Sequence, residues 1–225
     1  MSAQQEPAEG QAPPAIGMLV SGRGSNLEAI LRAIEGGTLS ARVAVVISSR
    51  PDAPALDLAA RRGIPTAVIV PGAYPSRAEA GAAIVAALRA ASATWVVLAG
   101  YKPILDACVI QAYPMRIVNI HPSLLPAFAG GMAPRPQREA LEAGVKLAGC
   151  TVHFVIEAVD EGPIIAQAAV PVLDDDTLES LSARILEQEH RLLPATLARL
   201  LAGHVRVEGR RVRVEPRDGA GAPSS

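Results

Sequence analysis

Short apolar runs alternate with segments of helical period along most of this chain. Residues 16–20 form an apolar run, and a glycine-rich loop leads from it into a helical pattern over residues 26–35. The alternation then repeats, with strands predicted at residues 43–48, 66–70, 95–98 and 117–120 and helices at 53–62, 77–91 and 104–112. Connections of only a few residues between such segments predict a sheet of parallel strands. After Ile120 the rhythm breaks. Residues 121–136 contain Pro122, Pro126, Gly130, Gly131, Pro134 and Pro136, and a loop of that length inside a compact domain is usually functional.

Beyond the loop the pattern predicts a helix over residues 137–142, strands at 150–156 and 164–171, and a long helix over 177–201. Three aspartates, Asp174, Asp175 and Asp176, stand at the positive end of that helix as its expected cap. Strands at 205–208 and 211–214 flank Gly209 as a hairpin. The expected fold class is α/β: a mostly parallel, Rossmann-like open sheet flanked by helices, with a C-terminal half completing a mixed sheet. Residues 16–214 read as one domain whose halves meet near residue 115, between tails at 1–15 and 215–225 that composition marks as disordered.

Composition sharpens this picture. Half of the 225 residues are apolar but only 3% are aromatic, so Ala, Val, Leu and Ile must build the core. That suits helices packed on strands buried on both faces. The 21 basic and 22 acidic residues leave a net charge of −1, without the basic excess of a nucleic-acid footprint. The dense basic stretch at residues 206–213 reads as the exposed faces of the hairpin. Cys108 and Cys150 are far apart and read as two free thiols. The first residues lack the cationic start and apolar centre of a signal peptide, and no apolar run approaches the ~18–20 residues that span a bilayer. The expectation is a cytoplasmic protein, monomer or homodimer, that acts on small molecules without nucleic acid, membrane or metal.

Three motifs carry candidate chemistry. Gly22-Arg23-Gly24-Ser25-Asn26-Leu27 follows a strand and opens a helix, where free amides and the helix dipole suit a phosphate. The dinucleotide reading is weak, because Leu27 stands where the third glycine belongs. A plain glycine turn capped by Ser25 or Asn26 is the structural alternative. The second motif is Asn119-Ile120-His121-Pro122. Strand alternation puts Asn119 and His121 on one face, at the carboxyl end of a strand where open α/β sheets bind ligands. An amide and an imidazole pointing together suit a reaction in which a carbonyl oxygen becomes negative, and a lone structural histidine is the alternative. The third is Val159-Asp160-Glu161-Gly162-Pro163, either a solvated turn or, if Asp160 faces His121, a carboxylate that favours the charged imidazole. His153 reads as a satisfied core residue rather than a second functional histidine. There is no GxSxG and no HExxH, which sets aside serine and zinc hydrolases.

At these residues the chain resembles the phosphoribosylglycinamide formyltransferase family. The resemblance runs from about Ile16 to Val214. It is carried by SGRGSNL (residues 21–27), LAGYKPIL (98–105), NIHPSLLPAF (119–128), GCTVHFV (149–155), VDEGPIIAQ (159–167) and LEQEH (186–190). It implies that 10-formyltetrahydrofolate and phosphoribosylglycinamide are the substrates, and that the catalytic residues are Asn119, His121 and Asp160. Gly24, Ser25 and Asn26 would hold the substrate phosphate and Glu189 the ribose. The folate would lie against Lys102, Pro103, Ile104 and Leu105, with Arg77 nearby, against Asn119, and against Ile156, Glu157, Ala158, Val159 and Asp160. Residues 16–115 would then be the phosphate-binding half and 116–214 the folate and catalytic half. Two departures stand out. Ala129-Gly130-Gly131-Met132-Ala133 replaces the family's Pro-Gly-Leu/Met-His, and Tyr101-Lys102-Pro103 replaces its Phe-Met-Arg.

A formyltetrahydrofolate hydrolase is the nearest rival, though its kind carries an extra N-terminal domain and only about fifteen residues precede the first strand here. A formyltransferase for methionyl-tRNA or a sugar nucleotide is faintly suggested by residues 131–136, without the appended domain and basic surface of the tRNA enzyme. A folate- or nucleotide-binding module would leave the Asn, His and Asp set incidental.

Overall fold

The structure, a computed structural model, describes residues 12–216. The greater part of the two expected tails lies outside these residues. Nine strands form one sheet in the order β3-β2-β1-β4-β5-β6-β7-β9-β8. The strands are β1 (Ala15–Val20), β2 (Arg42–Ser48), β3 (Thr66–Val68), β4 (Trp95–Leu98), β5 (Ile117–His121), β6 (Leu147–Phe154), β7 (Ile164–Pro171), β8 (Gly203–Glu208) and β9 (Arg211–Pro216). The helices are α1 (Ser25–Glu35), α2 (Pro54–Ala60), α3 (Arg77–Ala90), α4 (Ala107–Ala112), α5 (Arg135–Glu142) and α6 (Leu178–Ala202). The first five strands pair in parallel, whereas β5–β6 and β6–β7 are antiparallel. This is the mixed α/β sheet expected, and β1 and β9 each reach slightly into the expected tails.

The order 3-2-1-4-5 reverses between β1 and β4, and the chain leaves both strands at the same edge of the sheet. That reversal opens the crevice in which such sheets bind ligands. The two exits are tied together, since Ala99 N donates to Leu19 O at 3.1 Å and Lys102 N to Ser21 Oγ at 2.9 Å.

Apolar residues fill both faces of the sheet. One face packs Leu27 and Ile30 of α1, Ala140 of α5, and Leu181, Ile185, Leu193 and Leu197 of α6. The other packs Ile84 and Leu88 of α3 and Val109 of α4. Each fully buried Leu, Ile or Val contributes roughly 1.5–3 kcal/mol of transfer free energy, so small aliphatic side chains suffice without aromatics.

The helix ends differ from expectation in two places. Asp106 caps α4 by accepting from Cys108 N, so the helix starts three residues later than the apolar pattern suggested. At α6 the cap is Thr177, in a reciprocal capping box with Ser180, not the aspartates. Asp176 instead receives Arg184, with Nη2 to Oδ1 at 2.7 Å. The hairpin forms as expected, with Arg206, Glu208, Arg211 and Arg213 exposed.

Candidate active site

A cavity of about 500 Å³ occupies the crevice at the β1/β4 switch. Gly24 closes the β1–α1 loop with φ 80°, a left-handed conformation that strains any side chain. A Cβ there would also lie 2.7 Å from that of Ala55. Glycine thus sets the start of α1 and leaves the first amides of the helix facing the crevice. No side chain caps this helix. Asn26 Nδ2 donates to Glu189 Oε2 of α6 at 2.8 Å, and its buried Oδ1 has no hydrogen-bond partner among the described residues. Burial, with 8% of Glu189 exposed, pushes its carboxyl up to about 7, and the Asn26 hydrogen bond opposes this only in part.

Deeper in the crevice, β5 presents Asn119 and His121 to one side, as alternation requires. Asn119 Nδ2 lies 3.0 Å from Nε2 of His153, its register partner on β6. An amide nitrogen only donates, so His153 accepts at Nε2 and carries its proton on Nδ1, which reaches Phe154 O at 2.9 Å. Burial lowers the pKa of His153 below its ordinary value, in keeping with this neutral tautomer. His121 is placed differently. Its Nε2 lies 3.2 Å from Phe128 O and its Nδ1 3.4 Å from Asp160 Oδ2. Both neighbours are hydrogen-bond acceptors.

Asp160 is held by its own turn. Its φ of 56° is a left-handed conformation that Asp tolerates better than most residues. Gly162 follows in a place where a Cβ would stand 1.8 Å from Phe154 O, so the turn presses directly on β6. Asp160 Oδ2 also accepts from Gly130 N at 2.8 Å, which ties the long loop to the carboxylate. The loop is anchored again where Leu125 N donates to Thr151 Oγ1 at 3.0 Å and Gln167 Nε2 to Leu125 O at 3.0 Å.

Comparison with known proteins matches the formyl transferase family model to residues 15–197. The chain belongs to the formyl transferase family. The phosphoribosylglycinamide formyltransferase of Bacillus subtilis is 40% identical over 184 residues, 82% of this chain and 93% of that protein. The trifunctional purine biosynthetic protein adenosine-3 of Gallus gallus is 44% identical over 192 residues. That match covers 85% of this chain but 19% of the relative's own length. Among solved structures, glycinamide ribonucleotide transformylase 1 from Symbiobacterium toebii superposes with a TM-score of 0.88 at 49% identity. It covers 95% of this chain and 100% of its own.

In this formyltransferase most of the expected site residues meet at the cavity. Gly24, Ser25, Asn26 and Glu189 line it, as do Asn119, His121 and Asp160, and Lys102, Pro103, Ile104 and Leu105. Ile156, Glu157 and Val159 join that last group. Two expected residues do not line it. Ala158 is absent from the wall, and the guanidinium of Arg77 reaches Ile104 O at 3.3 Å and Leu105 O at 3.2 Å from outside. Arg77 therefore fixes the backbone of that segment rather than facing the cavity. His153 is buried with both nitrogens occupied, as a core residue would be, yet it lines the cavity and contacts Asn119. Arg23, Met132, Gln137, Ser182 and Leu186 also line it. The spacing 182, 186, 189 along one helical stripe was the available signal for the last two.

No helix among the described residues is long and apolar enough to cross a membrane, and no group of three or more of their His, Cys, Asp and Glu is arranged to hold a metal ion.

Proposed function

We propose that the protein transfers the formyl group of 10-formyltetrahydrofolate to the amine of phosphoribosylglycinamide in purine biosynthesis. The observation that carries this reading is the convergence of Asn119, His121 and Asp160 on one cavity with a phosphate-type glycine loop and the apolar residues Ile104 and Val159. A phosphorylated ribosyl amine fits the glycine loop and a flat folate the apolar residues. The names of the relatives point the same way.

In the proposed reaction the acceptor amine attacks the formyl carbon directly. A nitrogen–carbon bond forms, a tetrahedral oxyanion develops, and the bond from carbon to the folate nitrogen then breaks. Asn119 Nδ2 has one hydrogen on His153 and a second available for the oxyanion. His121 Nδ1 stands at 3.4 Å from Asp160, longer than a committed hydrogen bond, which leaves this N–H free to turn to the oxyanion. The Asp160 carboxylate stabilises the positive imidazole. Through water it helps move the proton from the attacking nitrogen to the departing folate nitrogen. No covalent enzyme intermediate is required.

Incubation with both substrates tests this reading by mass spectrometry of the acceptor. The formylated amide is the expected product, and recovery of unmodified acceptor beside a consumed folate contradicts it.

A further inference from the structure

Two cavity side chains with a buried polar atom are left over from this mechanism. Gln137 of α5 is 3% exposed, lines the cavity, and its Oε1 has no hydrogen-bond partner among the described residues. Ser182 of α6 lines the same cavity, and its buried Oγ is equally unpartnered. An unsatisfied buried polar atom destabilises a protein, and an apolar residue of the same shape at either place would avoid that penalty. Polar groups kept at such positions call for a partner that arrives from outside.

Their place in the fold says which end of a ligand they would meet. Ser182, Leu186 and Glu189 form one stripe of α6, and Glu189 is bonded to Asn26 at the glycine loop. Helices α1, α5 and α6 pack on one face of the sheet, whereas Leu105, Ile110 and Val155 belong to the other. Gln137 and Ser182 therefore stand on the face of the glycine loop, away from the apolar end of the cavity. The α6 wall carries no cation, and Arg23 and Lys102 are the only Lys or Arg side chains among the lining residues.

We propose that Gln137 and Ser182 are specificity residues that hold the phosphoryl oxygens of the acceptor together with the glycine loop. Ser182 donates its hydroxyl hydrogen. Neither end of the Gln137 carboxamide is bonded to a described residue, so a half-turn that presents Nε2 in place of Oε1 breaks no hydrogen bond. Such contacts act directly or through one water. This inference deepens the proposed function and rests on its phosphorylated acceptor.

The test compares the acceptor with its dephosphorylated riboside in the wild type, Gln137→Leu, Ser182→Ala and the double variant. Each single change is expected to raise KM for the phosphorylated acceptor about tenfold, the size of one hydrogen bond to a charged group. The turnover number and the KM of the riboside stay within about twofold, and the melting temperature does not fall, since an unsatisfied buried atom has been removed. Gln137→Glu, of the same shape but negative, raises that KM further. Equal shifts for both acceptors, or no shift, overturn the inference. If the wild type turns over neither acceptor, the proposed function fails by itself. Ribose 5-phosphate titrated by thermal shift then decides the inference, which stands if the wild type binds it more tightly than the variants and ribose not at all, and falls otherwise.

Discussion

Asn119 and His153 face each other across the β5–β6 ladder, and their side chains meet at 3.0 Å. The contact commits one amide hydrogen to His153 and leaves the other without a partner among the described residues. It also requires a neutral His153, and burial supplies that by lowering the pKa of this imidazole from 6.5. His153→Leu should therefore misdirect the amide, lowering turnover by about tenfold or more, and should cost about 1–3 kcal/mol for the stranded buried partners. Steady-state kinetics and chemical denaturation measure the two effects.

His153 also gives stability a pH dependence. Its folded pKa lies below its unfolded value, so its contribution is present above about pH 6.5 and is lost as pH falls through the folded pKa. His153→Gln is expected to flatten the acid limb of a plot of melting temperature against pH.

Glu189 slopes the other way. Its folded pKa, about 7, lies above the ordinary 4.5, so its contribution is fully present below pH 4.5 and lost as pH rises through 7. At pH 8 the buried carboxylate thus costs up to about 3 kcal/mol by the pKa difference. Glu189→Gln should stabilise the ligand-free protein at pH 8 by an amount that shrinks towards pH 5. If Glu189 holds the ribose, as the resemblance implies, the same change should also raise KM for the ribosyl acceptor. A stability gain independent of pH contradicts this account.

Asp160 has two separable duties. Asp160→Asn keeps a side chain suited to a positive φ, and its carboxamide oxygen can still accept from Gly130 N, but the charge beside His121 is removed. Turnover should fall about a hundredfold with the melting temperature nearly unchanged. Asp160→Ala also loses the Gly130 anchor and the tolerance for this backbone, so its melting temperature should drop as well.

On the proposed mechanism, His121→Asn removes one donor from the developing oxyanion. A loss of ~10²–10³ in turnover is the expected size for such a group. A variant that retains more than about a tenth of wild-type turnover contradicts the role given to His121.

Much of this site was legible in the sequence, because local rules place much of it. A glycine loop after a strand and a two-residue alternation in β5 set Gly24, Asn119 and His121 by chain geometry alone. What escaped depends on contacts between distant segments. Arg77 carries a charge that suits a ligand, yet its guanidinium serves two carbonyls nearly thirty residues away. His153 looked like a core residue and is one, but its partner on the next strand is Asn119. Gln137 follows the departure of the long loop from the family pattern, so no motif pointed to it, and its buried carboxamide is visible only once α5 packs beside α6. The apolar pattern runs through Asp106, whose cap sets the start of α4 later than that pattern alone suggests.

The most direct test of the central claim is deformylation of 10-formyltetrahydrofolate, followed by absorbance with and without phosphoribosylglycinamide. The account predicts turnover that depends on the amine and saturates with it. Turnover at the same rate without the amine would mean that water is the acceptor and the protein a hydrolase. No turnover in either case would contradict the assignment of Asn119, His121 and Asp160 to this chemistry.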